Sequence, residues 1–372
     1  MTTMTAMTNA STSRTVFGVV GSGWRTEFYL RIAAALPDRF GVAGVVARRP
    51  ERAKELRERF GVPTFDSVDA LLDDAGPDFV VTSVSWAANP GIVVELARRG
   101  VPVLSETPPA PDLDGMRALW DEVGDTAIVE VAEQYPFLPE YAARVEVCRS
   151  GLLGKVTSAH LSATQTYHAI AVLRTLLDVG FADAEVAGTA FTNRLQRGPD
   201  RDGWPVREEL VDAGQVIATL DFGDRLGVYD FTAGQWFHPI LGNRIVVRGE
   251  RGEVVDDRLT HLPDPSAPVQ TSFTRQQTGL GGDLEGFHLR ALYAGERRVY
   301  ANPYAPARMP DEEIAIATCL TRLAARIHSG GQASGGYSLA DACQDHYLGL
   351  VVSEAVASGT RIRTTRQPWA RS

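Results

Sequence analysis

The residues best suited to chemistry at the start of the chain are Gly21-Ser22-Gly23, which directly follow the apolar run from Val16 to Val20. A glycine at the first position allows a tight turn out of a buried strand. A second, two residues on, lets backbone amides and a following helix N-terminus approach a pyrophosphate. Thr26 occupies the third position of that fingerprint, so the motif is incomplete, but its place after an apolar strand near the chain start points to a nucleotide site. Trp24 and Arg25 follow at once and are placed to close over phosphates. At the end of the next apolar run, Val42 to Val46, stand Ala47, Arg48 and Arg49, where an NAD-binding chain would carry a carboxylate for the adenosine ribose. With two guanidiniums there and no carboxylate to repel a 2′-phosphate, NADP(H) is the expected cofactor and NAD the alternative. The other possibility is that both arginines are solvated charges at a helix entry.

The elements that must hold these residues alternate. Strands at Val16–Val20, Val42–Val46, Val62–Phe65, Phe79–Thr82 and Val101–Leu104 are separated by helical segments, among them Glu51–Phe60 and Ile92–Arg99. Such alternation predicts a parallel sheet covered on both faces, a Rossmann dinucleotide-binding domain over 14–130. After Val131 the rhythm becomes α+β. Strands are expected over Thr157–Thr166, Val186–Thr192, Gln215–Phe222, Leu226–Phe231, Arg244–Arg248 and Glu253–Leu259, then a loop-rich stretch from His261 to Arg308, with Gly279 to Gly282, serving as a lid or an oligomer contact. Two helices close the chain, Pro310–Ser329 and Ser338–Ser358, the latter capped by Ser338 and Gly359. The fold class is thus α/β, a Rossmann domain followed over 131–372 by an α+β domain with a large, mostly antiparallel open sheet for substrate binding and oligomerisation.

The composition excludes several classes of function. A net charge of −9 without a Lys/Arg block argues against nucleic acid. No run of ~18 or more apolar residues is present, so no membrane span is expected. Residues 1–13 lack the features of a secretory signal and are expected to form a disordered tail. Three scattered cysteines fit a reducing cytoplasm rather than a disulfide framework or zinc site, and His160, His238, His261, His288, His328 and His346 show no ligand spacing, so no metal is expected.

These features, together with Leu104-Ser105-Glu106-Thr107-Pro108, resemble the Gfo/Idh/MocA family of glucose-fructose oxidoreductases and inositol dehydrogenases. The resemblance runs from Arg14 to about Ile362 and includes the strand-turn-strand signature from Gly249 to Glu253. It implies that Glu106 contacts the nicotinamide ribose and that Gln134 faces the nicotinamide. It also implies that Thr107 stands where the family carries its proton-donating lysine, Ser85 where it has a proline, and Asn89 where it commonly has histidine. A threonine hydroxyl hydrogen-bonds but does not titrate usefully. In the family's His-x-x-Asp cluster His168 is retained and Ala171 replaces the aspartate. His168 is accordingly the first candidate for acid or base, since an unperturbed imidazole exchanges protons near pH ~6.5; its alternative role is a hydrogen-bonded residue at a helix start. Tyr167 is either a substrate-orienting donor or a packed aromatic, and Tyr135 either a donor with lowered pKa or an aromatic anchor. Gln165, Trp236, His238, Arg290 and Tyr304 are further pocket candidates on the open sheet.

The expected activity is hydride transfer between NADP(H) and a sugar-like or other small carbonyl or imine substrate, in a homodimer or homotetramer, with His168, Thr107 and Tyr167 as the catalytic set. Two alternatives are a lyase or hydrolase that oxidises its substrate transiently, and a noncatalytic sensor of nucleotide or sugar.

Overall fold

The computed structural model describes residues 14–124, 126–281, 284–333 and 335–370. The expected N-terminal tail and Gly282 lie outside them. The first sheet is parallel throughout, in the order β3-β2-β1-β4-β5-β6. Its strands are β1 (Thr15–Val20), β2 (Phe40–Val46), β3 (Thr64–Phe65), β4 (Phe79–Thr82), β5 (Val103–Ser105) and β6 (Val129–Val131). They alternate with α1 (Trp24–Ala35), α2 (Pro50–Phe60), α3 (Val68–Ala75), α4 (Asn89–Arg98) and α5 (Leu113–Val123). Phe17, Val19, Phe79, Val80, Val81, Val103 and Leu104 are wholly buried, as strands covered on both faces require. The order reverses between β1 and β4, and a ligand crevice opens at the carboxyl ends of strands where that happens.

After α6 (Pro139–Arg149) the chain builds the second sheet. Its strands are β7 (Val156–Ser162), β8 (Glu185–Gln196), β9 (Leu210–Asp221), β10 (Leu226–Thr232), β11 (Arg244–Gly249), β12 (Gly252–Val255), β13 (Arg258–Asp264), β14 (Ala267–Gln277), β15 (Leu289–Ala294), β16 (Arg297–Ala301) and β17 (Ile362–Arg363). The spatial order is β16-β15-β14-β13-β12-β11-β7-β10-β9-β8-β17, antiparallel except for the β7/β10 pair.

Three sequence expectations are corrected here. The strand expected over Thr157–Thr166 stops at Ser162, because the chain turns and α7 (Thr166–Leu177) begins. The strand expected over Glu253–Leu259 is a hairpin, broken where Asp256 takes the left-handed conformation (φ 52°) and its Oδ1 accepts from the Ile245 amide at 2.9 Å. The stretch from His261 to Arg308 is mainly sheet. β14 is too polar to announce itself, and its pairing with β13 and β15 supplies the partners its own side chains do not advertise.

Helix α7 packs against β7, β10 and α9 (Leu339–Ser358), and nearly all of its residues are buried. At its far end the Arg174 guanidinium donates to Asp345 Oδ1 of α9 at 2.5 Å and to the Gly180 carbonyl, while Tyr337 donates to the other Asp345 oxygen. The last helices, α8 (Asp311–His328) and α9, return to the first sheet: the Val131 amide donates to the Tyr337 carbonyl at 2.8 Å, and Arg31 of α1 pairs with Glu313 at 2.6 Å. Arg174→Met should therefore cost about 3–5 kcal/mol, the usual consequence of leaving one member of a buried ion pair uncompensated. Denaturant unfolding measures it; a loss below about 1 kcal/mol would show that α7 is not held by this pair.

Candidate active site

Gly21 ends β1 with φ 115°, and a Cβ there would lie 2.0 Å from the Ser83 carbonyl oxygen of the neighbouring β4 connection. The position admits only glycine because two backbones cross there. Gly23 differs, since a Cβ built on it meets nothing within 4 Å. Its bare face opens on a cavity of about 1560 Å³ that Gly21, Ser22, Gly23, Trp24 and Arg25 all line. That exceeds the ~300–1,000 Å³ typical of one small-ligand site and suits a dinucleotide together with a second molecule. The departure at the third fingerprint position also has a function: the buried Thr26 hydroxyl donates to the Gly21 carbonyl at 3.0 Å, fastening the start of α1 to the turn.

Arg48 and Arg49 are exposed on the rim of this cavity, and among the described residues neither forms an ion pair. Arg25 has a different setting from that of a free phosphate clamp. Its Nε meets Glu106 Oε1 at 3.1 Å and its NH1 meets Glu312 at 2.6 Å, so it ties α1 to the end of β5 and the start of α8. The buried Tyr29 hydroxyl donates to the same Glu106 oxygen at 2.5 Å. Ser85 is exposed at the cavity rim, where its carbonyl caps the turn into α4. Asn89 lies behind the site: its Oδ1 accepts from Thr82, and its Nδ2 donates to Ser105 Oγ at 2.8 Å and to the Pro109 carbonyl at 3.1 Å. It clasps the ends of β4 and β5 and so fixes the loop that carries Glu106, Thr107 and the cis-linked Pro108.

His168 leads α7 into the same cavity. Its Nδ1 is 2.6 Å from Glu133 Oε2, a buried carboxylate just beyond β6 that also accepts from the Tyr135 amide at 3.1 Å. A carboxylate accepts, so Nδ1 carries the hydrogen and Nε2 is left as the exchangeable nitrogen. Glu133 thus supplies from 35 positions away the carboxylate that Ala171 cannot. Sequence reasoning missed it, because one acidic residue after a strand carries no local signal of a histidine partner. The imidazole lies between two phenols, with ring centroids 4.2 Å from Tyr167 and 4.5 Å from Tyr135. Burial pushes the Tyr135 phenol up to about 12 and moves Tyr167 upward as well. Both are therefore hydrogen-bond donors that keep their protons, which corrects the expectation of a lowered Tyr135 pKa. The Tyr167 hydroxyl pairs with Thr107, and all three of the expected catalytic residues, His168, Tyr167 and Thr107, line the cavity.

Of the other pocket candidates, Gln165 and Trp236 line the cavity. His238 belongs to a separate surface groove, where its Nε2 is 2.7 Å from the Gln196 carbonyl. Arg290 pairs with Glu285, and Tyr304 is buried with its hydroxyl on Thr318 and Thr321. Both were drawn from a stretch whose strands the sequence did not announce. Among the described residues no group of three or more His, Cys, Asp or Glu side chains is arranged to hold a metal ion, and no helix is long and apolar enough to cross a membrane.

Residues 15–131 match the family model described as an oxidoreductase family with an NAD-binding Rossmann fold, GFO_IDH_MocA. Over those residues the chain carries the NAD-binding Rossmann fold of the Gfo/Idh/MocA oxidoreductases. An uncharacterised protein of Saccharomyces cerevisiae is 28% identical over 33% of this chain, a match that spans 36% of the yeast protein's length. The dTDP-3,4-didehydro-2,6-dideoxy-α-D-glucose 3-reductase of Streptomyces violaceoruber is 25% identical, over 64% of this chain and 79% of its own. Among solved structures, levoglucosan dehydrogenase in complex with NADH shares the fold with a TM-score of 0.68 at 18% identity, over 95% of this chain and all of the other. Thr107 and Ala171 are departures from the motifs that carry the sequence resemblance, and His168 takes a carboxylate partner from Glu133. The cavity also suits a dinucleotide on internal grounds: Gly23 leaves its backbone bare to it, and Gln134, a buried lining residue, has an Oε1 without a hydrogen-bond partner among the described residues. A buried orphan acceptor costs free energy unless a ligand donor meets it.

Proposed function

We propose that this chain is an NADP(H)-dependent oxidoreductase acting on a sugar-like or other small carbonyl or imine substrate, with His168 as the proton donor and acceptor. The observation that carries the proposal is the Glu133–His168 pair, set 2.6 Å apart on the cavity lined by the glycine-rich turn. The turn from Gly21 to Gly23 and the α1 N-terminus would hold the pyrophosphate, Arg48 and Arg49 the 2′-phosphate, and Glu106 and Gln134 the nicotinamide end. When bound, the dinucleotide supplies or takes up a hydride at nicotinamide C4.

The protein's own share is one proton. In carbonyl reduction the imidazolium of His168 gives the Nε2 proton to the oxygen as the carbon gains its hydride, and the imidazole is left neutral. In alcohol oxidation neutral Nε2 takes the hydroxyl proton while the carbon loses a hydride. Glu133 holds the imidazole in place in both directions by accepting from Nδ1, which leaves Nε2 as the nitrogen that exchanges the proton. Tyr167 and Thr107 orient the substrate oxygen as donors that do not ionise. An iminium substrate arrives already protonated and dispenses with the acid, which suits a site without the family lysine.

The deoxysugar reductase relative and the levoglucosan dehydrogenase fold support a sugar-like substrate. The exposed Phe191 and Ile217, which share one face of β8 and β9, favour a homodimer or homotetramer formed through the open sheet, and three free cysteines fit the cytoplasm. The decisive experiment is NADPH consumption against panels of ketones, ketosugars and cyclic imines. Tight NADPH binding with turnover on none of them would replace the proposal with a noncatalytic sensor. Arg48→Ala should weaken NADPH by about ten-fold or more and NADH little, since a charge-assisted phosphate contact is lost only from the former. Equal losses for both would leave NAD as the cofactor.

A further inference from the structure

Besides Arg48 and Arg49 at the cavity rim, three guanidiniums stand beside the glycine-rich turn or the first residue of α1, and two of them are neutralised within the protein. Arg25 is held by Glu106 and Glu312. Arg52 is held by Glu27 and Glu55, both at 2.6 Å, with its Nε donating to the Ser22 carbonyl at 2.8 Å. The third comes from the second sheet. Arg201 lies in the connection between β8 and β9, its guanidinium carbon 4.2 Å from the centroid of the Trp24 ring, and it lines the same cavity as Ser22 and Gly23. Among the described residues it has no carboxylate partner. Asp200, next to it in its own turn, is engaged locally: its Oδ1 accepts from the Asp202 amide at 2.9 Å.

The connection is a built feature. Its base is closed by the Arg197 amide on the Glu209 carbonyl at 2.7 Å and by an Arg197–Glu209 ion pair at 2.8 Å; its tip is closed by reciprocal backbone bonds between Asp200 and Gly203. An aromatic face holds a guanidinium by its plane and leaves the N–H edge free, so Arg201 keeps a fork of donors beside the first residue of α1. A pyrophosphate at that helix end brings two negative charges against a macrodipole worth about half a charge. Of the cations in the first sheet unit, Arg48 and Arg49 are assigned above to the 2′-phosphate, and Arg25 and Arg52 are already committed to carboxylates. Gln134, which lines the same cavity, also has a buried Oε1 without a hydrogen-bond partner among the described residues.

We propose that Arg201 is the cationic ligand of the dinucleotide pyrophosphate, with Trp24 as the platform that holds it over the α1 N-terminus. The proposal rests on the dinucleotide assignment above and adds to it a contact from the second sheet, so that binding the cofactor draws the β8–β9 connection onto the first. Arginine suits this task because its planar fork meets phosphate oxygens in pairs.

The test is the affinity of the full-length protein for NADPH, NADH and ADP-ribose, measured by fluorescence and calorimetric titration in the wild type, Arg201→Met and Arg201→Lys. ADP-ribose keeps the pyrophosphate and lacks the nicotinamide. The expected result is that Arg201→Met weakens all three about ten-fold or more at unchanged melting temperature, and Arg201→Lys recovers part of the loss. Unchanged affinities in Arg201→Met overturn the assignment of Arg201 alone. So does a loss confined to NADPH and NADH with ADP-ribose unaffected, which would move Arg201 to the nicotinamide end. A wild type that binds none of the three overturns the dinucleotide assignment itself.

Discussion

Gly23→Val is expected to fold normally and to lose measurable dinucleotide binding, a fall of 100-fold or more on the scale of about 1.4 kcal/mol per ten-fold. The backbone at Gly23 is extended (φ −72°, ψ −178°), a conformation valine adopts without strain, and among the described residues no atom beyond its chain neighbours stands within 4 Å of the added Cβ. The branched side chain therefore occupies only the space in which a pyrophosphate must approach the α1 amides. Gly21→Ala is its structural counterpart, because the new methyl group meets the Ser83 carbonyl and the φ of 115° disfavours any side chain. Melting curves and NADPH titration on the two variants separate the roles. Wild-type affinity in Gly23→Val would mean that the phosphates bind elsewhere.

The second large effect is expected at the histidine pair. Glutamine at position 168 still donates to Glu133 but cannot exchange a proton, so His168→Gln should lower kcat on carbonyl substrates by about 10²–10⁴ while leaving dinucleotide affinity intact. Glu133→Gln, which keeps the shape and removes the charge, should cost about 10- to 100-fold, the scale of residues that orient a working imidazole. If the substrate is an iminium, the His168→Gln loss shrinks toward ten-fold or less, because no external proton is required. Steady-state rates on a ketone and on a cyclic imine read both effects. Undiminished ketone turnover in His168→Gln would remove the histidine from the mechanism.

The strand-helix alternation of the first sheet is legible in the sequence because each strand, buried on both faces, is written as a short apolar run. The fingerprint is legible because glycine is required where backbone crosses backbone, as at Gly21. Thr26 shows how the motif tolerates an exception: its hydroxyl replaces a close helix packing with a hydrogen bond to the same turn. The second sheet is less legible. β14 presents polar side chains to both sides and is a strand by virtue of its neighbours, while the Asp256 turn hides within what reads as one strand.

By itself the sequence determined the parallel sheet, the glycine-rich turn, the pair of arginines after β2 and the non-titrating side chains of Thr107 and Ala171, all of which are local in the chain. Only the tertiary structure decided which charges are free and which are already spent. Arg25, adjacent to the turn, is committed to Glu106 and Glu312, whereas Arg201, far along the chain, reaches the turn with its donors open. It likewise decided that the carboxylate behind His168 is Glu133. A side chain's chemistry depends on the charges within a few ångströms of it, and the chain brings those together from distances that spacing along the sequence does not record.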